Sequence, residues 1–375
     1  MKRSTSRILT SHTGSLPRPA DLIEMIRDAQ AGKPVDEAAF QARVKSAVAE
    51  TVQKQIEAGI TVINDGEAGK PGYSTYVKDR LTGFGGTSRN TNINAEGRDF
   101  PEWLAKRNIS GNVIARPACD GPVSWRDFAA VEREIANLKA AVAGVAHEEV
   151  FMSAASPGVI ATFLPNEYYP THEKYIEALA GVMHDEYKAI VDAGFVLQLD
   201  CPDLAMTRHN RHIDKTLSEF RDICELHIQA INEATKDIPA ESMRLHLCWG
   251  NYEGPHHMDV AMTDIIDIVL KGRPAGISFE GANPRHEHEW NVWRNVDASG
   301  RVVIPGVIDS TSNFIEHPEL VAQRIVKYAE CVGKENVIAG TDCGLQRVAH
   351  ASIQWAKFRA GAEGARLASE RLWKN

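Results

Sequence analysis

Short apolar runs alternate with amphipathic helical stretches along the whole chain, and this alternation limits the fold more than any other feature. Runs near residues 8, 61, 150, 196, 244, 276, 303 and 337 read as buried strands. Between them, residues 20–32, 37–58, 126–143, 173–192, 213–235, 260–271, 317–332 and 349–372 carry helical spacing. In the second of these, Phe40, Val44, Val48, Val52 and Ile56 repeat on one face, and Gly59 suits a C-terminal cap. In the fourth, Tyr175, Leu179, Val182, Met183, Tyr187, Ile190 and Val191 share a face that Gly194 ends. Strand–helix alternation without a run of hairpins predicts a parallel sheet. Eight such units in 375 residues predict an α/β TIM (β/α)8 barrel, forming a single domain over residues 1–375. Residues 68–112, rich in Gly, Asn, Thr and Arg, and an extra strand at 113–116 break the pattern. They read as an insertion after the second barrel strand that passes over the barrel mouth. The other parallel architecture, an open doubly wound sheet, lacks its Gly-x-Gly-x-x-Gly or Walker-type loop in this chain.

Composition narrows the function. A net charge of −8, with no basic stripe, argues against a nucleic-acid partner. No apolar run approaches the roughly 18 residues that span a bilayer, so no membrane partner is expected. The basic start, Met1 to Arg7, lacks the apolar segment of a secretory signal. Six scattered cysteines are too sparse for a disulfide framework and fit a reducing cytoplasm.

The polar residues Ser15, Glu67, Asp200, His246, Cys248, Glu280 and Cys343 all fall at C-terminal strand ends, the face where such barrels keep their chemistry. In Arg244-Leu245-His246-Leu247-Cys248 the side chains alternate, so His246 and Cys248 share a face. An imidazole and a thiol at that spacing form one edge of a soft metal site, and Glu280 and Cys343 supply two more candidate ligands from later strands. Nitrogen and sulfur donors suit Zn²⁺. Two thiolates and a carboxylate leave such a site net negative, which keeps a bound thiol electron-rich and suits a sulfur nucleophile better than hydrolysis. Cys119 and Cys331 read as packing residues, and Cys224 with His227 as core. The runs His256-His257 and His286-Glu287-His288 read as solvated loops near the rim.

Taken together, Thr13-Gly14-Ser15-Leu16-Pro17, Asp65-Gly66-Glu67, Gln198-Leu199-Asp200-Cys201-Pro202, His246-Leu247-Cys248, Phe279-Glu280, Gly306-Val307-Ile308-Asp309 and Asp342-Cys343-Gly344-Leu345 resemble the catalytic half of cobalamin-independent methionine synthases. The likeness is greatest to short, single-barrel members, which include epoxyalkane:coenzyme M transferases. It implies that His246, Cys248, Glu280 and Cys343 hold catalytic zinc. It implies further that Gly14, Ser15, Glu67 and Asp200 bind homocysteine, with Glu67 and Asp200 pairing with its ammonium group.

The chain also departs from that family. It has the length of one barrel, without the second that helps hold a folate polyglutamate tail. Thr311 stands where the family has a proton-donating histidine, and Phe163 falls near its pterin-side tryptophan. The expectation is a zinc-dependent thiol S-alkyltransferase acting on a small-molecule thiol acceptor and a methyl or alkyl donor. Free methyltetrahydrofolate is expected to be a poor donor unless His12, His209 or His286–His288 supplies the proton; a methylated corrinoid, a sulfonium or an epoxide should serve better. Addition of a thiol to an epoxide, a non-catalytic zinc or thiol sensor, and a metallohydrolase are the competing readings. A homo-oligomer is compatible with all of them.

Overall fold

The computed structural model describes residues 1–88, 94–106, 116–298, 300–345, 348 and 350–374. Every barrel strand expected from the apolar runs is present. They are β1 (Leu9–Thr10), β2 (Val62–Ile63), β5 (Glu149–Ala155), β6 (Val196–Asp200), β7 (Met243–Leu247), β8 (Gly276–Phe279), β9 (Val302–Ile308) and β10 (Ile338–Thr341). All their ladders are parallel, in the order β1-β10-β9-β8-β7-β6-β5-β2. The first and last strands of that order close on each other through Thr61 N–H donating to Thr10 O (3.2 Å) and Thr10 N–H donating to Thr61 Oγ1 (2.9 Å). The result is a (β/α)8 barrel.

Leu9, Val62, Phe151, Val196, Ile304 and Ile338 form a cluster of their own, distinct from the larger core between strands and helices. Above this plug the side chains become polar. Arg244 is buried, with its guanidinium over the Phe151 ring. It donates to Gln198 Oε1 (2.8 Å), Ser11 Oγ (2.9 Å) and His12 O (2.8 Å). Gln198 Nε2 in turn donates to Asp200 Oδ1 (2.8 Å), so one hydrogen-bonded chain fixes the acid at the end of β6.

The outer helices follow their patterns. Helix His172–Asp192 starts where Thr171 accepts from Lys174 N–H, buries Tyr175, Leu179, Met183, Tyr187 and Ile190, and ends before Gly194. Helix Leu217–Ala234 opens with a reciprocal Thr216–Glu219 capping box.

Two expectations need correction. Residues 260–271 hold a 3₁₀ turn, Met262–Asp264, and a single helical turn, Ile266–Val269, rather than one helix. The insertion is also more ordered than its composition suggested. Its β3 (Gly86–Ser88) pairs antiparallel with β4 (Arg116–Ala118), so the chain does contain a hairpin-like pair, outside the barrel. The expected strand at 113–116 overlaps β4 only at its last residue, and positions 113–115 lie outside the described residues. Helices Ala95–Asp99 and Pro101–Lys106 follow β3, and their contacts carry the insertion across to the loop after β7. There Glu96 accepts from Tyr252 and His256, and Asp99 pairs with His257 at 2.9 Å.

Candidate active site

The strand ends converge on a cavity of about 460 Å³, whose lining includes Ser15, Glu67, Asp200, His246, Cys248 and Cys343. These six candidates come from β1, β2, β6, β7 and β10 and face one space. Gly14, Glu280 and Thr311 do not line it.

His246, Cys248 and Cys343 bring their ligand atoms within 4.8 Å of one another, and the two sulfurs are 3.7 Å apart. Ser278 Oγ lies 3.2 Å from His246 Nδ1 and orients the ring, while the buried Nε2 has no partner. An unpaired ring nitrogen in a dry site is costly unless something binds it. Burial holds this imidazole down at about 3, in the neutral form a metal needs. The hydrogen bond with Cys343, then burial, push the Cys248 thiol well up. Two thiols so close do not both ionise without a cation between them. The donor set therefore fits Zn²⁺, whose binding would release their protons.

Glu280 sits beside this trio without joining it. Its Oε1 accepts from Trp249 N–H (2.8 Å) and its Oε2 from Asn283 Nδ2 (2.8 Å). Asp342, next to Cys343, accepts from Gly281 and Ala282 N–H and from Asn283 N–H, each at 2.8 Å. These bonds lock the loop that carries Glu280 to the strand end that carries Cys343.

Also lining the cavity, Ser15 Oγ donates to Glu67 Oε2. Glu67 has a positive φ of 56°, unusual for a residue with a side chain, and follows Gly66 at φ 66°. Asp65 accepts its N–H (2.9 Å) and Arg18 donates to its carbonyl (2.9 Å), which hold this conformation. Gly14 (φ 146°) makes room: a Cβ there would collide with Glu67 Oε1 and lie 2.7 Å from Ser153 Oγ. Burial and the neighbouring Glu67 push the Asp200 carboxyl well up. A cation between the two acids would relieve both effects.

Thr311 belongs to a turn beside the cavity, where its hydroxyl and its N–H both donate to Asp309 Oδ1 (2.9 Å each). His12 is buried against Gln55, and that burial holds its ring down at about 3.

Two features were not foreseen. Tyr73, from the insertion, lines the cavity and packs edge-on against Phe163 with ring centroids 5.9 Å apart. Behind Tyr252, another lining residue, lies a buried cluster centred on Asp259. Its carboxylate faces His209 Nδ1 (2.9 Å), His256 Nδ1 (2.9 Å) and His286 Nε2 (3.1 Å). His286 Nδ1 also meets Glu289 Oε2 at 2.7 Å. Burial opposes charge on His256 and His286, but hydrogen bonds to Asp259 prevail and raise both to about 9. His286 is therefore no rim residue; it is buried and stacked on Trp249, with ring centroids 4.1 Å apart. The spacings His256-x-x-Asp259 and His286-x-x-Glu289 are local signals for this cluster.

Fold and site together define a barrel protein with one histidine and two cysteines gathered at the C-terminal mouth, a donor set that could hold a metal ion. The sequence profile described as the catalytic domain of cobalamin-independent synthases matches residues 8–360, and the chain belongs to that family. Among its relatives, a methionine synthase from Sulfolobus acidocaldarius is 29% identical over 90% of this chain and 85% of that protein. One from Saccharolobus solfataricus is 25% identical over 97% and 95%. A solved B12-independent methionine synthase from Shewanella sp. W3-18-1, in complex with selenomethionine, shares the fold at a TM-score of 0.78. It is 21% identical and is covered over 98% of this chain and 99% of its own.

Proposed function

We propose that this protein is a zinc-dependent S-methyltransferase that converts homocysteine to methionine. The observation that carries the reading is the unpartnered, buried His246 Nε2 beside two thiols, opening on a cavity that Glu67 and Asp200 also line. Membership of the cobalamin-independent synthase family and the names of its relatives support it.

His246, Cys248 and Cys343 would hold the zinc, with Glu280 next to Cys248 as the fourth ligand. Bound zinc would supply a Lewis acid at which a thiol loses its proton near neutral pH. Glu67 and Asp200 receive the ammonium group of the amino acid, and the Ser15–Glu67 hydrogen bond sets the angle of the carboxylate that meets it. Tyr73 and Phe163 form the wall beyond, where the methyl donor enters and bulk water is displaced. The acceptor sulfur would then attack the donor's methyl carbon in line, the new S–C bond forming as the bond from that carbon to the donor's leaving atom breaks with its electron pair staying on that atom.

The test is transfer of a labelled methyl group to homocysteine, coenzyme M and glutathione by zinc-loaded protein. Methionine should be the main product. Transfer to coenzyme M alone, or to no thiol, would refute the reading.

A further inference from the structure

The proposed acceptor brings an α-carboxylate as well as an ammonium group, and a carboxylate taken out of water needs a cation or hydrogen-bond donors. Among the described residues no lysine or arginine lines the cavity, and two of the lining residues, Glu67 and Asp200, are themselves acids. A carboxylate there depends on neutral donors. Four side-chain hydroxyls line the space, those of Thr13, Ser15, Tyr73 and Tyr252. Three are turned to partners in the protein: Thr13 Oγ1 donates to Thr341 O (3.2 Å), Ser15 Oγ to Glu67 and the Tyr252 hydroxyl to Glu96 Oε2 (2.6 Å). The Asn251 amide is engaged as well, its Nδ2 donating to Gly344 O (2.6 Å) and its Oδ1 accepting from Ser310 Oγ (3.0 Å). The Tyr73 hydroxyl has no hydrogen-bond partner among the described residues. We propose that Tyr73 donates this hydroxyl to the α-carboxylate of the thiol acceptor and so selects an amino-acid thiol, which rests on the homocysteine reading above.

The local chain explains where the hydroxyl sits. The segment leaving β2 is pinned on both sides of Tyr73. Before it, Lys70 Nζ donates to Ser153 O on β5, and Arg18 Nη2 donates to Lys70 O (2.7 Å). After it, the Tyr76 hydroxyl donates to Glu186 Oε1 (2.8 Å). A turn closed by Tyr76 N–H donating to Gly72 O (3.2 Å) sends Tyr76 into the core and Tyr73 to the cavity. Phe163, edge-on to the Tyr73 ring, holds it from the other side.

Burial, then the charges of Cys248, Cys343 and Asp200, push the Tyr73 phenol well up. All three of those groups line the cavity, so the hydroxyl end of the ring reaches the space they share. An acceptor with its sulfur at Cys248 and Cys343 and its ammonium group at Glu67 and Asp200 has its α-carbon, and with it the carboxylate, in that space. Neither acid takes the phenol proton, since Glu67 accepts from Ser15 and Asp200 from Gln198. The proton stays on the tyrosine oxygen, free for an anion brought by the ligand. Tyr73 is thus a specificity-determining residue that touches the acceptor, while its ring remains part of the wall with Phe163.

The experiment is a binding cycle on zinc-loaded protein, read by calorimetry. It compares homocysteine with 3-aminopropane-1-thiol, the same molecule without the carboxylate. Tyr73→Phe keeps the ring against Phe163 and removes only the hydroxyl. It should weaken homocysteine binding by about tenfold or more and leave the aminothiol within about twofold. Equal weakening of both thiols, or of neither, would overturn the proposal. An independent readout is a crystal structure of the unsubstituted, zinc-loaded protein with homocysteine. The Tyr73 hydroxyl should lie about 3 Å or less from a carboxylate oxygen, and a carboxylate turned away from it would end the proposal. If homocysteine binds and is methylated without this discrimination, the methyltransferase reading stands and the role of Tyr73 falls. If homocysteine does not bind, both fall.

Discussion

Single positions carry most of the chemistry, and several can be tested alone. Cys248→Ser or Cys343→Ser removes one of two thiols from a three-residue set, so each should reduce zinc from about one per chain to a small fraction. Elemental analysis after dialysis measures this, and full occupancy in both variants would remove the ligand assignment. Gly14→Ala adds a Cβ where Glu67 Oε1 and Ser153 Oγ already sit, on a backbone conformation that side chains rarely adopt. It should raise KM for homocysteine about tenfold or more with little change in zinc content. An unchanged KM would mean that Glu67 does not hold the acceptor.

At the level of elements, the loop after β7 is the part most dependent on charge. The Asp259 side chain is fully buried and faces three histidines, so Asp259→Asn should cost about 3–5 kcal/mol in unfolding experiments. The pH dependence follows from the same bonds. His256 and His286 are raised from 6.5 to about 9 in the folded protein. Their contribution is therefore complete below pH 6.5 and is lost as pH rises through about 9. Melting temperature should fall across that window, and the fall should be shallower in Asp259→Asn. An identical slope in both proteins would show that the cluster does not set it.

This loop also marks where local pattern stops being informative. Parallel strands are buried on both faces, so their β-branched runs stand out, and all eight barrel strands were visible in the chain. His256 and His286 lie in polar, glycine- and proline-containing segments that look solvated. His286 is buried against Trp249 and Asp259, and His256 is half-buried where Glu96 arrives from the insertion; those long-range contacts leave no periodic trace. The stretch 260–271 had helical spacing but too short a continuous turn to propagate a helix. The strand-end candidates Ser15, Glu67, Asp200, His246, Cys248 and Cys343 were legible because a barrel gathers its strand ends. Tyr73 was hidden in the irregular insertion.

At the scale of the whole molecule, the barrel gathers acids from the ends of β2 and β6 and the His246, Cys248 and Cys343 donors from β7 and β10 around one cavity. In the proposed function one amino acid spans that cavity, its ammonium group on the acids and its thiol on the sulfur-rich donors. The central claim is that the thiol of homocysteine is deprotonated there by the metal site. The most direct measurement is the number of protons released when homocysteine binds zinc-loaded protein, obtained by calorimetry in buffers of different ionisation enthalpy. Homoserine, which keeps the ammonium and carboxylate groups but has a hydroxyl for the thiol, corrects for protons displaced from Asp200. Homocysteine should release about one proton more than homoserine, and Cys343→Ser should abolish the difference. Equal release by the two ligands in the wild-type protein would contradict the account.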